Sequence, residues 1–314
     1  MKDHLLLWDL EPGRPRPDIQ LPGSPQRCLH RAPVEDRSGT VWILEQLRPD
    51  QLERREQIGH CLATLAQKDL PIPAYRADRN GHYVVKQDHA FFQLSPFVPG
   101  TPLPQPDYIE DRTRGHALGQ FLVALHEAAP NLQKCDAATP FRLETYIHEL
   151  METLAVRHPE IHHALIPIQD GLSPLFEAWP DLPTTLCHGD FHPLNIIWQE
   201  HEVAAVIDWE FSGVRPALFD VANCLGCVGI EDPLALIRGL SPTLLATLNT
   251  AGYLENDAFT LLPELILGMR FAWMSEWLRR NDTEMIDIEI QYMQLLANSI
   301  DTLLPAWKNL LGHP

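Results

Sequence analysis

The segment Asn195-Ile196-Ile197-Trp198, then Gln199-Glu200-His201-Glu202, then Val203-Ala204-Ala205-Val206-Ile207, constrains this chain more than any other. Two apolar runs joined by four polar residues read as a β-hairpin. The residues leading into it, Thr185-Leu186-Cys187-His188-Gly189-Asp190-Phe191-His192-Pro193-Leu194, crowd polar groups where a buried strand is about to begin. Burying an idle charge is costly, so such a cluster needs a task. Hairpin geometry brings the start of one strand to the end of its partner, and so Asp190 and Asn195 to Asp208. A carboxylate and a carboxamide there offer hard oxygen ligands suited to Mg²⁺, which usually shares its shell with phosphate oxygens. A further carboxylate, free of the metal, can orient an attacking hydroxyl and take its proton.

On either side of residue 100 the chain reads differently. Residues 11–37, rich in Pro, Gly and Arg, read as loops and short edge strands, and 39–47, 82–86 and 90–98 as strands. Between them, 49–70 carries Leu52, Ile58, Leu62 and Leu65 at helical spacing. A Pro-rich stretch, 99–106, breaks both ladder and helix. Beyond it the spacing predicts helices at 107–129, 141–157, 262–280 and 284–304, with 155–165 and its three histidines as a surface loop. The expected architecture is α+β and bilobal, with a β-rich lobe over 1–99 and a helical lobe over 100–314.

A net charge of −18 argues against a nucleic-acid partner, which usually needs a clustered basic surface. Leu5-Leu6-Leu7-Trp8 is too short to span a membrane or form a signal-peptide core, so the expected address is the cytoplasm. Six cysteines in 314 residues are too sparse for a disulfide framework, which suits a reducing compartment. Cys224 and Cys227 form one CxxC, but no second ligand pair accompanies it, and buried free thiols are the expectation.

His188-Gly189-Asp190-Phe191-His192-Pro193-Leu194-Asn195, followed by Ile207-Asp208-Trp209-Glu210, resembles the signature of the aminoglycoside phosphotransferase and choline kinase group, which includes homoserine-kinase-like enzymes. The resemblance implies the bilobal protein-kinase-like fold and an ATP- and Mg²⁺-dependent kinase acting on a hydroxyl of a small molecule, with homoserine, choline, aminoglycosides and sugars as the open choices of acceptor. It implies Asp190 as catalytic base, Asn195 and Asp208 as Mg²⁺ ligands, and His188 as a structural member of the loop. Asp220 resembles the aspartate that braces that loop, and 116–128 the helix ending in Leu-His. Residues 21–32 would form the loop and strand over the nucleotide, and 93–100 the hinge, where backbone groups around Ser95 to Phe97 would meet the adenine.

The sequence departs from the family where a lysine on strand 41–47 normally pairs with a helix glutamate: Glu45 stands there, and the helix supplies Arg54 and Arg55. One reading is a charge-swapped pair whose helix arginine faces the phosphates, since Arg forks suit phosphate recognition. The other is a degraded site in a nucleotide-binding regulatory relative with little transfer activity. Arg31, Arg48 and Lys86 are further candidate cations. His188 and His192 lie four apart as in HExxH, but Gly189 and Pro193 do not suit the helix that a zinc site of that kind needs. Trp273, Glu276 and Trp277 fall within one turn, which fits an ammonium cage and, more readily, ordinary helix packing.

Overall fold

The computed structural model describes residues 2–21, 28–128, 141–254 and 257–312. The expectation for the nucleotide-covering loop therefore lies, over 22–27, outside the described residues.

Five antiparallel strands build the first half: β1 (Pro12–Pro15), β2 (His30–Asp36), β3 (Val41–Leu47), β4 (Val85–Gln87) and β5 (Ala90–Pro96), in the order β1-β2-β3-β5-β4. β2 is thus an inner strand. The Asp36 carboxylate builds the β2–β3 turn by accepting the amides of Ser38 and Thr40 and the indole N–H of Trp42. β4 begins at Val85 because the amides of Tyr83 and Val84 donate to Glu56 instead of to a neighbouring strand. Leu5, Trp8, Val34, Leu44, Val85, Phe92 and Leu94 form a small core of their own.

Helix α1 (Leu52–Ala66) follows β3 and buries Ile58, Leu62 and Leu65 in a different and larger core. Those residues recur at helical spacing, so one face is apolar throughout. The larger core is otherwise built by α2 (Arg112–Ala128), α3 (Leu143–Arg157), α4 (Pro159–Asp170), α5 (Ser173–Ala178), α6 (Phe219–Glu231), α7 (Leu240–Thr250), α8 (Leu262–Arg280) and α9 (Thr283–Leu311). Residues 155–165, expected as a loop, are the end of α3 and the start of α4. Pro159 suits a first helical turn, where its missing N–H costs nothing, and Ile161 and Leu165 are buried.

Among these helices lie two small two-stranded sheets: β6 (Thr184–Cys187) with β9 (Gly213–Pro216), and β7 (Ile196–Gln199) with β8 (Glu202–Val206). β7 and β8 are the expected hairpin, with Ile196 opposite Val206. The whole is a bilobal α+β fold of the protein-kinase-like kind. No helix among the described residues is long and apolar enough to cross a membrane. Cys28, Cys187, Cys224 and Cys227 are free thiols, whereas Cys61 is disulfide-bonded.

Candidate active site

Residues 188–195 connect β6 to β7, and 207–212 connect β8 to β9, so the β6–β9 and β7–β8 pairings bring the two loops together. Gly189 adopts φ +84°, and a Cβ there would lie 2.1 Å from the Phe211 carbonyl oxygen. Glycine alone fits both the backbone conformation and the close approach. Asp220, at the start of α6, accepts the amides of His188 (2.6 Å) and Gly189 (2.8 Å) on its two oxygens. That is the brace the resemblance implied. Burial pushes the Asp220 carboxyl up to about 7 against these hydrogen bonds and the charge of Arg215.

His188 is fully buried and uses both ring nitrogens. The Asp190 amide approaches Nδ1 at 3.2 Å and can only donate, so Nδ1 accepts and Nε2 carries the proton given to the Ile207 carbonyl at 2.8 Å. The imidazole thereby ties the strand leading to Asp190 onto the residue before Asp208. Neither nitrogen has a lone pair to spare, which removes His188 as a zinc ligand.

The Asp190 carboxylate is held at both oxygens. Oδ2 accepts from Asn195 Nδ2 at 3.0 Å, and Oδ1 faces Asn223 Nδ2 at 3.5 Å and His192 Nε2 at 3.7 Å. Burial works to raise this carboxyl, but the interactions with His192, His188 and Asn195 outweigh it and hold Asp190 below the usual aspartate range. Asn195, itself buried, also donates Nδ2 to the Asp190 carbonyl at 2.8 Å. Its Oδ1 is the atom left to offer a ligand. The Ile207 amide donates to the Asn195 carbonyl at 3.0 Å, so Asp208 follows the residue paired with Asn195. Asp208 has a left-handed backbone (φ 72°), which Asp tolerates better than most residues. A carbonyl oxygen from Asn195 and a carboxylate from Asp208 at one hairpin mouth suit a hard cation that takes its remaining ligands from phosphate and water.

The arginines of α1 meet the same segment. Arg55, buried, places Nη2 2.8 Å from Glu210 Oε1 and Nη1 3.4 Å from Glu45 Oε2, with Tyr75 Oη and Gln93 Oε1 each at 3.3 Å. Arg31 approaches the other Glu45 oxygen at 3.9 Å. Glu45 and Arg55 therefore form the charge-swapped pair. Arg54 donates to the carbonyls of Glu210 and Ser212 and to Ser212 Oγ. Both side chains engage protein groups of the loop after Asp208.

Ser95 and Phe97 face differently from the expectation. The Phe97 amide donates to the Val41 carbonyl, and the two-residue period of the β3–β5 ladder turns Ser95 the same way. The Leu94 carbonyl on the opposite edge accepts from Arg76, and the two-residue period turns the Pro96 carbonyl the same way. Pro96, within the stretch from Ser95 to Phe97 expected to meet the adenine, is the residue whose backbone turns away from β3.

Trp273 and Trp277 do not form an open cage. Arg270 lies over the Trp273 ring and Arg280 over Trp277, each at 5.5 Å from the ring centroid. Glu276 is paired with Arg279 and Arg280. Asn223, which the sequence reading passed over, interrupts the buried apolar run of α6. A lone carboxamide in such a run needs partners, and that is the signal that marks it.

A sequence model of the phosphotransferase enzyme family matches residues 34–253. The homoserine kinase of Rhodospirillum rubrum is 24% identical over 251 residues, 78% of this chain and 76% of that protein. Of several other curated relatives the chain spans about half the length or less. The structure of a microcompartment-associated aminopropanol kinase is similar with a TM-score of 0.68 at 19% identity, over 96% of this chain and 97% of that one. An amicoumacin kinase solved with AMP-PNP and Ca²⁺ gives a TM-score of 0.64 at 15% identity, over 92% and 90%.

Proposed function

This chain belongs to the phosphotransferase enzyme family, and we propose that it is a small-molecule kinase transferring the terminal phosphate of ATP to a hydroxyl of an amine-bearing acceptor. The observation carrying this reading is Asp190, held ionised between Asn195 and its other neighbours, with Asp208 at the same hairpin mouth. Asp190 receives the acceptor hydroxyl's proton as its oxygen bonds to phosphorus and the bond to the ADP oxygen breaks. Asn195 Oδ1 and the Asp208 carboxylate would hold Mg²⁺, which when bound supplies charge neutralisation at the phosphates. The Pro96 carbonyl would offer the adenine an acceptor. An amino alcohol as acceptor draws support from the relatives named for homoserine and aminopropanol. The four free thiols support a cytoplasmic setting, from which the bonded Cys61 stands apart.

The test combines a thermal-shift titration with ATP and Mg²⁺ and an assay of ADP release against a panel of amino alcohols. Wild-type protein is expected to bind and turn over, and Asp208→Ala to lose Mg²⁺-dependent turnover; unchanged activity in that variant would overturn the assignment. One observation favours a second reading. Arg54 and Arg55 engage protein groups while Glu45 fills the usual lysine position, as suits a nucleotide-binding relative without transfer. Binding without ADP release on any acceptor would select it.

A further inference from the structure

The carboxamide of Asn223 lies on α6, one helical turn beyond the loop-bracing Asp220, with 2% of its surface exposed. Trp273, on α8, donates its indole N–H to Asn223 Oδ1 at 3.1 Å. An indole nitrogen can only donate, so it fixes which end of the amide is which. Nδ2 must then face the catalytic loop, where it lies 3.3 Å from the Phe191 carbonyl and 3.5 Å from Asp190 Oδ1. The Trp273 ring also meets His192 edge-on at 5.5 Å, and His192 Nε2 is the other group facing Asp190 Oδ1. One tryptophan thus stands behind both neighbours of a single carboxylate oxygen.

We propose that Asn223 is a positioning residue that orients the Asp190 carboxylate, and that Trp273 locks its amide in the productive direction. This rests on the phosphotransfer reading above. Asn195 fixes Oδ2 at 3.0 Å, whereas Oδ1 has only long contacts and keeps accepting capacity. Oδ1 is therefore the oxygen presented to the acceptor hydroxyl. Asn223 sets the rotation of the carboxylate about its last bond without closing that oxygen off. The pair is built from helices 50 residues apart and reaches the loop from the side of the helical lobe.

Two measurements test this on the full chain. In the first, indole ¹H–¹⁵N signals of ¹⁵N-Trp-labelled protein are recorded for wild type, Asp190→Asn, Asn223→Leu and the double variant, with Trp273→Phe assigning the peak. Asp190→Asn is expected to shift the Trp273 signal in the wild-type background and to shift it clearly less in the Asn223→Leu background, where only the His192 contact remains; equal shifts in both would overturn the proposal. In the second, Asn223→Leu is expected to lower kcat about 10- to 100-fold, the loss of one hydrogen bond to a charged group, with the KM for ATP unchanged. Asn223→Asp, which still accepts from Trp273 but cannot donate, is expected to lose at least as much, and Trp273→Phe less. A merely structural role would instead lower thermal stability in all three variants while leaving kcat per folded molecule at the wild-type value. No ADP release by wild type on any acceptor would sink the phosphotransfer reading, and the indole measurement would still decide whether Asn223 couples Trp273 to Asp190.

Discussion

His188 shows how much a single residue of the catalytic loop is asked to do. It is wholly enclosed, and its neutral form alone fits, because Nδ1 must accept from Asp190 while Nε2 donates to Ile207. Burial pushes its pKa down to about 4. In the unfolded chain the same imidazole titrates near ~6.5, so between these values the unfolded state binds the extra proton. Stability from this residue is therefore complete above pH ~6.5 and declines as the pH falls toward 4, by up to about 3 kcal/mol. Urea midpoints measured across that window should fall on acidification in wild type and fall less steeply in His188→Gln; parallel curves would contradict this account. The family resemblance of the motif made His188 legible as a structural member of the loop. Asn223 was not legible in the same way. Its partners Asp190 and Trp273 lie 33 and 50 residues away, and no local pattern announces a contact between helices at that separation.

At the scale of elements, the hairpin was readable and the pairing parity of β5 was not. β7 and β8 carry their own apolar runs and their own polar turn, so composition alone defines them. Which backbone groups of Ser95, Pro96 and Phe97 point outward depends on the register against β3, a property of two strands far apart in the chain. The inverted ion pair lies between these cases: a Glu45–arginine pair was one of two readings of the residue types, and the structure pairs Glu45 with Arg55 and adds Glu210, which no spacing suggested. Arg55 thereby joins β3, α1 and the loop after Asp208 through one buried guanidinium. Removing it leaves two carboxylates poorly solvated, so Arg55→Met is expected to cost about 3–5 kcal/mol. Glu45→Gln should cost clearly less, since Arg55 keeps Glu210 at 2.8 Å. Chemical denaturation of the two variants ranks them, and an equal or reversed order would mean that Glu210 is not the dominant partner. Arg55→Lys should resemble the Met variant more than wild type, because an ammonium cannot fork across four acceptors.

For the molecule as a whole, the two cores meet along a seam that carries the cleft, and its stitches are backbone contacts. The Thr101 amide donates to the Trp198 carbonyl at 2.7 Å, so the strap leaving β5 runs along the edge of β7, and the Val206 amide donates to the Pro71 carbonyl at 2.9 Å from the other side. α1 adds to this by burying its apolar face in the larger core, although in the chain it lies between strands of the smaller one. The seam tolerates no bulk at Gly100, where a Cβ would stand 2.6 Å from Ile197 Cγ2 and 2.9 Å from the Trp198 carbonyl oxygen. A carbonyl locked in a strand cannot retreat, so either the strap or β7 must shift. Gly100→Ala is accordingly expected to destabilise by about 1–3 kcal/mol, the range for overpacking a filled site. Because β7 begins at the residue after Asn195, the same shift should also lower turnover in the ADP-release assay. Gly171 supplies the comparison, since its φ of −67° suits alanine and an added Cβ there would meet its nearest atom, the Ile168 carbonyl oxygen, at 3.4 Å. Gly171→Ala should be neutral or stabilising by about 0.4–1 kcal/mol, through the narrower unfolded ensemble. Urea denaturation and ADP release measured on both alanine variants separate a seam that transmits strain to the cleft from one that only joins two lobes. Loss of stability at Gly100 with full turnover would favour the second description.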